Sequence, residues 1–252
     1  MQITFQNPGF DYSMNSILLF QTENTGSWWK DALFSFYPQI DREQMERLSG
    51  TGQTAYLREV LSGVYRQLAP ELEEKKEAYQ ISWDENRQTV EEALGDIFQT
   101  PLAGQFQDIR ANITLNPVCP RFLAERTFDL FCRNSPKGAL GMSLHEVVHF
   151  LWFDRWNTLF HDDPAEYESP HLKWVFSEMA VYPILGDIRL AARNPYYPAS
   201  CVYDYFYTMT VEGRPILDTM AELFAAGNID RFMTDGYRYC REHEAEIRLQ
   251  MK

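Results

Sequence analysis

The stretch Leu144-His145-Glu146-Val147-Val148-His149-Phe150-Leu151-Trp152-Phe153 carries two histidines four residues apart, with a glutamate directly after the first. On an α-helix, residues i and i+4 stand one above the other, so both imidazoles can reach one metal ion with Glu146 beside it, the geometry of a catalytic zinc site. The surrounding residues supply the helix. Leu144, Val147, Val148, Leu151 and Trp152 fall at i, i+3, i+4, i+7 and i+8, the apolar stripe of an amphipathic helix facing a core. Ser135 or Ser143 would cap it, and Gly138 and Gly141 lie where a turn into the helix is expected.

Two histidines do not complete such a site, which uses a third protein ligand and keeps a fourth position for water. Glu178 is the first choice, within His171-Leu-Lys-Trp174-Val-Phe-Ser-Glu178-Met-Ala-Val-Tyr182, where Leu172, Val175, Phe176 and Met179 again show helical spacing. A carboxylate on a largely apolar helix asks for a cation, and a metal would supply one. Asp154 competes for the role if the first helix ends early. Asp162, Asp163, Glu166 and Glu168 crowd the connection and read as solvated loop charges, with one of them a lesser alternative ligand.

With these residues the chain resembles, over about residues 110 to 190, the gluzincin class of zinc metallopeptidases, the thermolysin-like group with H-E-x-x-H on one helix and a glutamate ligand on the next. The segments 144–153 and 177–183 also look like parts of uncharacterised bacterial proteins predicted to be peptidases. The resemblance implies zinc as cofactor, with His145, His149 and Glu178 as ligands and Glu146 as the general base acting on the metal-bound water. It also implies a zincin-like fold, with a small sheet before the active-site helix and an edge strand that pairs with extended peptide. The chain departs from the class in a longer gap between His149 and Glu178. Tyr182 also stands where many members place an aspartate one turn after the glutamate ligand, which leaves Asp187 or a backbone carbonyl to orient a histidine.

Zinc chemistry needs a further donor for the developing oxyanion. His171 and the tyrosines of Cys201-Val-Tyr203-Asp-Tyr205-Phe-Tyr207 are candidates, with His171, Tyr203 and Tyr205 standing equal and none singled out. The leading expectation is therefore a zinc-dependent hydrolase, a metallopeptidase acting on a peptide or protein substrate. Two other readings use the same residues: a noncatalytic binding or regulatory protein on a peptidase-like scaffold, and a hydrolase of a nonpeptide amide or ester. Cys201 with His171 as nucleophile and base has no local support.

The fold class expected is α+β, predominantly helical. Ala111–Asn116 and Thr127–Cys132 alternate apolar and polar residues between turn signals and read as strands. Helical spacing marks Ser27–Phe34, Thr54–Leu61 and Val90–Phe98, and Pro70-Glu-Leu-Glu-Glu-Lys-Lys-Glu reads as the start of another helix, with proline in its first turn. Arg214–Phe224 and Asp230–Leu249 read as closing helices, with His243 exposed rather than ligating. This gives a helical N-terminal region, 1–105, and a zincin-like catalytic region, 106–252, packed as one unit.

At 252 residues and 45% hydrophobic content, the chain can bury a substantial core. Its net charge of -13 argues against nonspecific nucleic-acid binding and against an anionic membrane surface, and favours a neutral or basic peptide. The N-terminal residues lack the basic and apolar run of a secretory signal and no stretch approaches membrane-spanning length, so the expected location is cytoplasmic. Cys119, Cys132, Cys201 and Cys240 are widely spaced and read as reduced and structural.

Overall fold

The computed structural model describes residues 1–20 and 28–251. The chain opens with strand β1 (Ile3–Gln6) and helices α1 (Phe10–Leu18), α2 (Trp28–Phe36), α3 (Arg42–Arg47) and α4 (Thr51–Phe98). Strands β2 (Ile109–Thr114), β3 (Arg121–Phe122) and β4 (Thr127–Phe131) precede α5 (Pro136–Phe160). A 3-10 turn (Pro164–Tyr167) leads to α6 (Leu172–Leu185), α7 (Ile188–Ala191) and α8 (Asp204–Thr208). A ribbon of β5 (Thr210–Val211) and β6 (Arg214–Pro215), then α9 (Ile216–Ala225), α10 (Ile229–Glu242) and α11 (Glu244–Gln250), complete it. The class is α+β and mostly helical, as expected. No described helix is long and apolar enough to cross a membrane.

Residues pack into two compact units, one of Gln2–Trp83 with Gln107–Ala139, the other of Met1 with Asp84–Phe106 and Leu140–Lys252. The first holds a four-stranded sheet in the order β1-β2-β4-β3. Its β1, β2 and β4 run parallel, and β3 pairs antiparallel with β4 at one edge. Three polar residues, Gln6, Asn112 and Asp129, lie side by side across the three parallel strands. They form a network buried at Asn112 and Asp129: Gln6 donates to Asn112 at 2.6 Å, Asn112 donates to Asp129 at 3.2 Å, and Tyr12 and Ser16 of α1 both donate to the Asp129 carboxylate. Burial raises the Asp129 pKa above the ordinary carboxylate value in spite of those hydrogen bonds.

Several sequence expectations change here. The N-terminal region 1–105, read as helical, also contributes β1, a four-residue strand paired with β2. Strand β2 stops at Thr114 rather than Asn116, because Asn116 takes its own N–H to Thr114 Oγ1 and accepts from Val118 N–H, a local turn that leaves the ladder. The separate helices expected around 54–61, 70–77 and 90–98 are one 48-residue helix, with Pro70 inside it instead of at its start. For the helix read from Ser27, residue 27 lies outside the described residues, and α2 runs from Trp28.

From Leu140 on, α5 belongs to the second unit and is more deeply packed than an amphipathic helix. Ser135 caps it, accepting the Gly138 N–H at 3.0 Å, with Pro136 in the first turn, whereas Ser143 is buried mid-helix. From Leu140 to Phe153, only Met142 and His145 are not buried. Trp152 meets Phe176 of α6 and Phe232 of α10 with ring centroids 5.1 and 5.8 Å apart, and Trp156 meets Tyr237 at 5.0 Å. This aromatic cluster fixes α5 against α6. Gly138 and Gly141 belong to the helix, not to a turn before it. At Gly141 a Cβ would meet Asn194 Oδ1 at 2.6 Å and Pro195 and Tyr196 at 2.9 Å, so only glycine admits that loop so close to the helix.

Candidate metal centre

α5 presents His145 and His149 one turn apart, and α6 brings Glu178 to face them. His145 Nε2 lies 3.1 Å from His149 Nε2 and 3.3 Å from Glu178 Oε2, and His149 Nε2 is 3.4 Å from that same oxygen. Bonds of about 2.05 Å in a tetrahedral site place neighbouring ligand atoms about 3.3 Å apart. The three donor atoms already stand at that spacing, and among the described residues they form the one group that could hold a metal ion. Side-chain exposure is 0% for His149, 4% for Glu178 and 16% for His145, so His145 marks the open side.

Charge favours a cation here. Burial alone would raise the Glu178 carboxyl, but the facing imidazoles of His149 and His145 reverse that and hold it well below the usual carboxylate range. Burial would lower His145, yet its hydrogen bond to Glu178 and the charges of Glu146 and Glu178 raise it. Glu146, the residue after His145, is itself buried.

His145 Nδ1 lies 2.9 Å from the Cys201 carbonyl oxygen. A carbonyl only accepts, so Nδ1 carries a proton, and Nε2 is the nitrogen whose lone pair a metal would take in place of the proton shared with Glu178. Of the two orienting groups expected, the backbone carbonyl serves; Asp187 instead caps α7 and pairs with Arg189. Tyr182 packs its ring on Tyr197 and Tyr207, with centroids 5.5 and 6.2 Å apart.

The remaining candidates separate by position. His171 is exposed at the start of α6, seven residues and thus about 10 Å along the axis from Glu178, away from the three ligand atoms. Asp154 is exposed on α5 and outside the group. Asp162 is not a solvated loop charge: it pairs with Lys173 and accepts from Trp156 Nε1 at 3.1 Å and Tyr167 at 2.8 Å. Glu166 also pairs with Lys173, and Asp163 caps the 3-10 turn. Tyr203 is 47% exposed, stacked on Tyr205 at 5.4 Å and edge-on to Trp174 at 5.8 Å. Tyr205 is the phenol that senses the site, its pKa raised by burial and then by the charge of Glu178. Burial raises the Cys201 thiol, the opposite of the shift that activates a cysteine nucleophile. His243 is half-buried between α10 and α11, its ring 4.5 Å from Tyr239. The Cys201 carbonyl went unrecognised in the sequence because a backbone acceptor has no residue signature.

No protein-family model, no curated protein and no solved structure matches the chain.

Proposed function

We propose that the chain is a zinc-dependent hydrolase of the gluzincin kind, most simply a metallopeptidase with a peptide or protein substrate. The observation that carries this reading is the spacing of His145 Nε2, His149 Nε2 and Glu178 Oε2 at 3.1 to 3.4 Å, beside the buried Glu146. Two imidazoles and one carboxylate suit zinc better than the oxygen-seeking calcium or magnesium, although ferrous iron accepts the same set. Zinc, when held there, lowers the pKa of its water and polarises a carbonyl.

The rest of the chemistry belongs to this chain. His145, His149 and Glu178 hold the ion. Glu146 takes a proton from the attacking water and delivers it to the leaving amine. Tyr205, a half-buried phenol within electrostatic reach of Glu178, donates to the developing oxyanion. The Cys201 carbonyl keeps the His145 lone pair turned toward the ion.

The test is elemental analysis for zinc and iron on wild type, His149→Ala, Glu178→Ala and Glu146→Gln, followed by mass spectrometry of a peptide mixture incubated with each. One zinc per wild-type chain, weakened in the first two variants, is expected. Glu146→Gln should keep its zinc and lose about 10²- to 10⁴-fold in turnover. Iron in place of zinc overturns the metal assignment, and full turnover in Glu146→Gln removes Glu146 as the base. Stoichiometric zinc without any hydrolysis favours the noncatalytic scaffold.

A further inference from the structure

Of the three tyrosines near the group, Tyr207 has a different setting from Tyr203 and Tyr205. Its hydroxyl accepts the Cys201 N–H at 2.9 Å. The N–H and C=O of Cys201 sit on one α-carbon, with only the φ and ψ rotations of that residue between them. A hydroxyl that pins the Cys201 N–H therefore narrows the directions its carbonyl can take. That carbonyl lies 2.9 Å from His145 Nδ1.

The segment between α7 and α8 has no regular hydrogen-bonded ladder to orient Cys201. Tyr207 is anchored independently: it lies within α8, and its ring packs edge-on against Tyr182, one turn beyond Glu178 on α6. The helix that supplies one ligand is connected, through Tyr182, Tyr207 and the backbone of Cys201, to the imidazole that supplies another. Cys201 Sγ also lies 3.5 Å from the Tyr207 hydroxyl, so thiol and backbone are rival routes for any effect of that hydroxyl.

We propose that Tyr207 is a positioning residue for the metal centre, its hydroxyl pinning the Cys201 backbone through the N–H so that the Cys201 carbonyl fixes the ring and tautomer of His145. The proposal rests on the metal reading above, not on hydrolysis. Groups that hold a metal-ligating histidine directly are worth about 10- to 100-fold in metal affinity, and Tyr207 acts one bond further out, so about a 3- to 10-fold loss is expected.

The experiment compares wild type, Tyr207→Phe and Cys201→Ala, the second keeping the ring and its packing on Tyr182, the third keeping both backbone groups but no sulfur. Zinc affinity is measured by chelator competition. Nitrogen-15 NMR follows water exchange of the His145 Nδ1 proton in metal-free and zinc-loaded protein, and melting of the metal-free protein reports any purely structural effect. Tyr207→Phe should weaken zinc 3- to 10-fold and speed Nδ1 proton exchange in both states, with Cys201→Ala like wild type. Unchanged affinity and exchange in Tyr207→Phe, or a lowered melting temperature alone, overturns the proposal. An equal loss in Cys201→Ala overturns it too, since the thiol would then be the route. Wild type that binds no zinc sinks the metal reading instead, and exchange in the metal-free protein still decides whether Tyr207 orients His145.

Discussion

Gly141 stands one turn before His145 and admits the loop that runs on to Cys201. Alanine there gains up to about 1 kcal/mol in helix propensity. It also pushes a methyl into the Pro195 ring and into Asn194, which is buried and already bound to the Tyr196 N–H at 3.0 Å, and overpacking of that kind costs about 1–3 kcal/mol. Gly141→Ala should therefore lower stability by about 1–2 kcal/mol, read as a fall in the urea midpoint; a rise would show that the loop yields easily. Asp129 gives a pH-dependent case. Its folded pKa lies above the unfolded value, so its stabilising contribution is complete below about pH 4 and is lost as pH rises through the folded value. The melting temperature of Asp129→Asn minus that of wild type should then grow more positive between pH 4 and pH 7, and a difference constant with pH would contradict the buried-acid account. At this scale the sequence was informative where chemistry is local. The two histidines and Glu146 share one helical turn, and Glu178 sits on a helix too apolar for an unaccompanied acid. The Cys201 carbonyl and the Asp129 network were hidden, since each depends on partners about 55 to 115 residues away in sequence.

Helix α4 shows where local punctuation misleads. Pro70 and the charged run after it have the form of a helix start, yet Leu57, Leu61, Val64, Leu72, Tyr79 and Trp83 are all buried along one continuous helix. Tertiary packing outweighs the local signal. A proline inside a helix costs about 3 kcal/mol, whereas the freedom it removes from the unfolded chain returns about 0.4–1 kcal/mol. Pro70 is exposed, so its replacement leaves no cavity. Pro70→Ala should thus stabilise the protein by about 2 kcal/mol in urea unfolding; a loss of stability would mean that the helix relies on the proline. Strands β1 and β3 escaped notice because four and two residues are too short for a period-two pattern to emerge. Strands β2 and β4, longer and bounded by turns, were legible to within two residues.

For the molecule as a whole, a metal that binds only the folded chain adds stability by mass action. Zinc at a hundred times its dissociation constant should contribute about 2.7 kcal/mol, or roughly 5–10 °C in melting temperature for a chain of this size. Chelator should reverse the shift and His149→Ala should lack it; equal shifts in both proteins would place the bound zinc elsewhere. The division into units was not legible in the sequence at all, because it depends on which segments meet and not on where composition changes. Its consequence concerns dissection of the chain. The unit with His145, His149 and Glu178 draws on residues 84–106 as well as 140–252, and the intervening stretch 107–139 carries β2, β3 and β4. A fragment 84–252 would haul those three strands along as cargo while β1, the strand that covers one side of β2, is severed from them. The bared side of β2 is a template on which a second copy can pair, so such a fragment should come out of expression as aggregate.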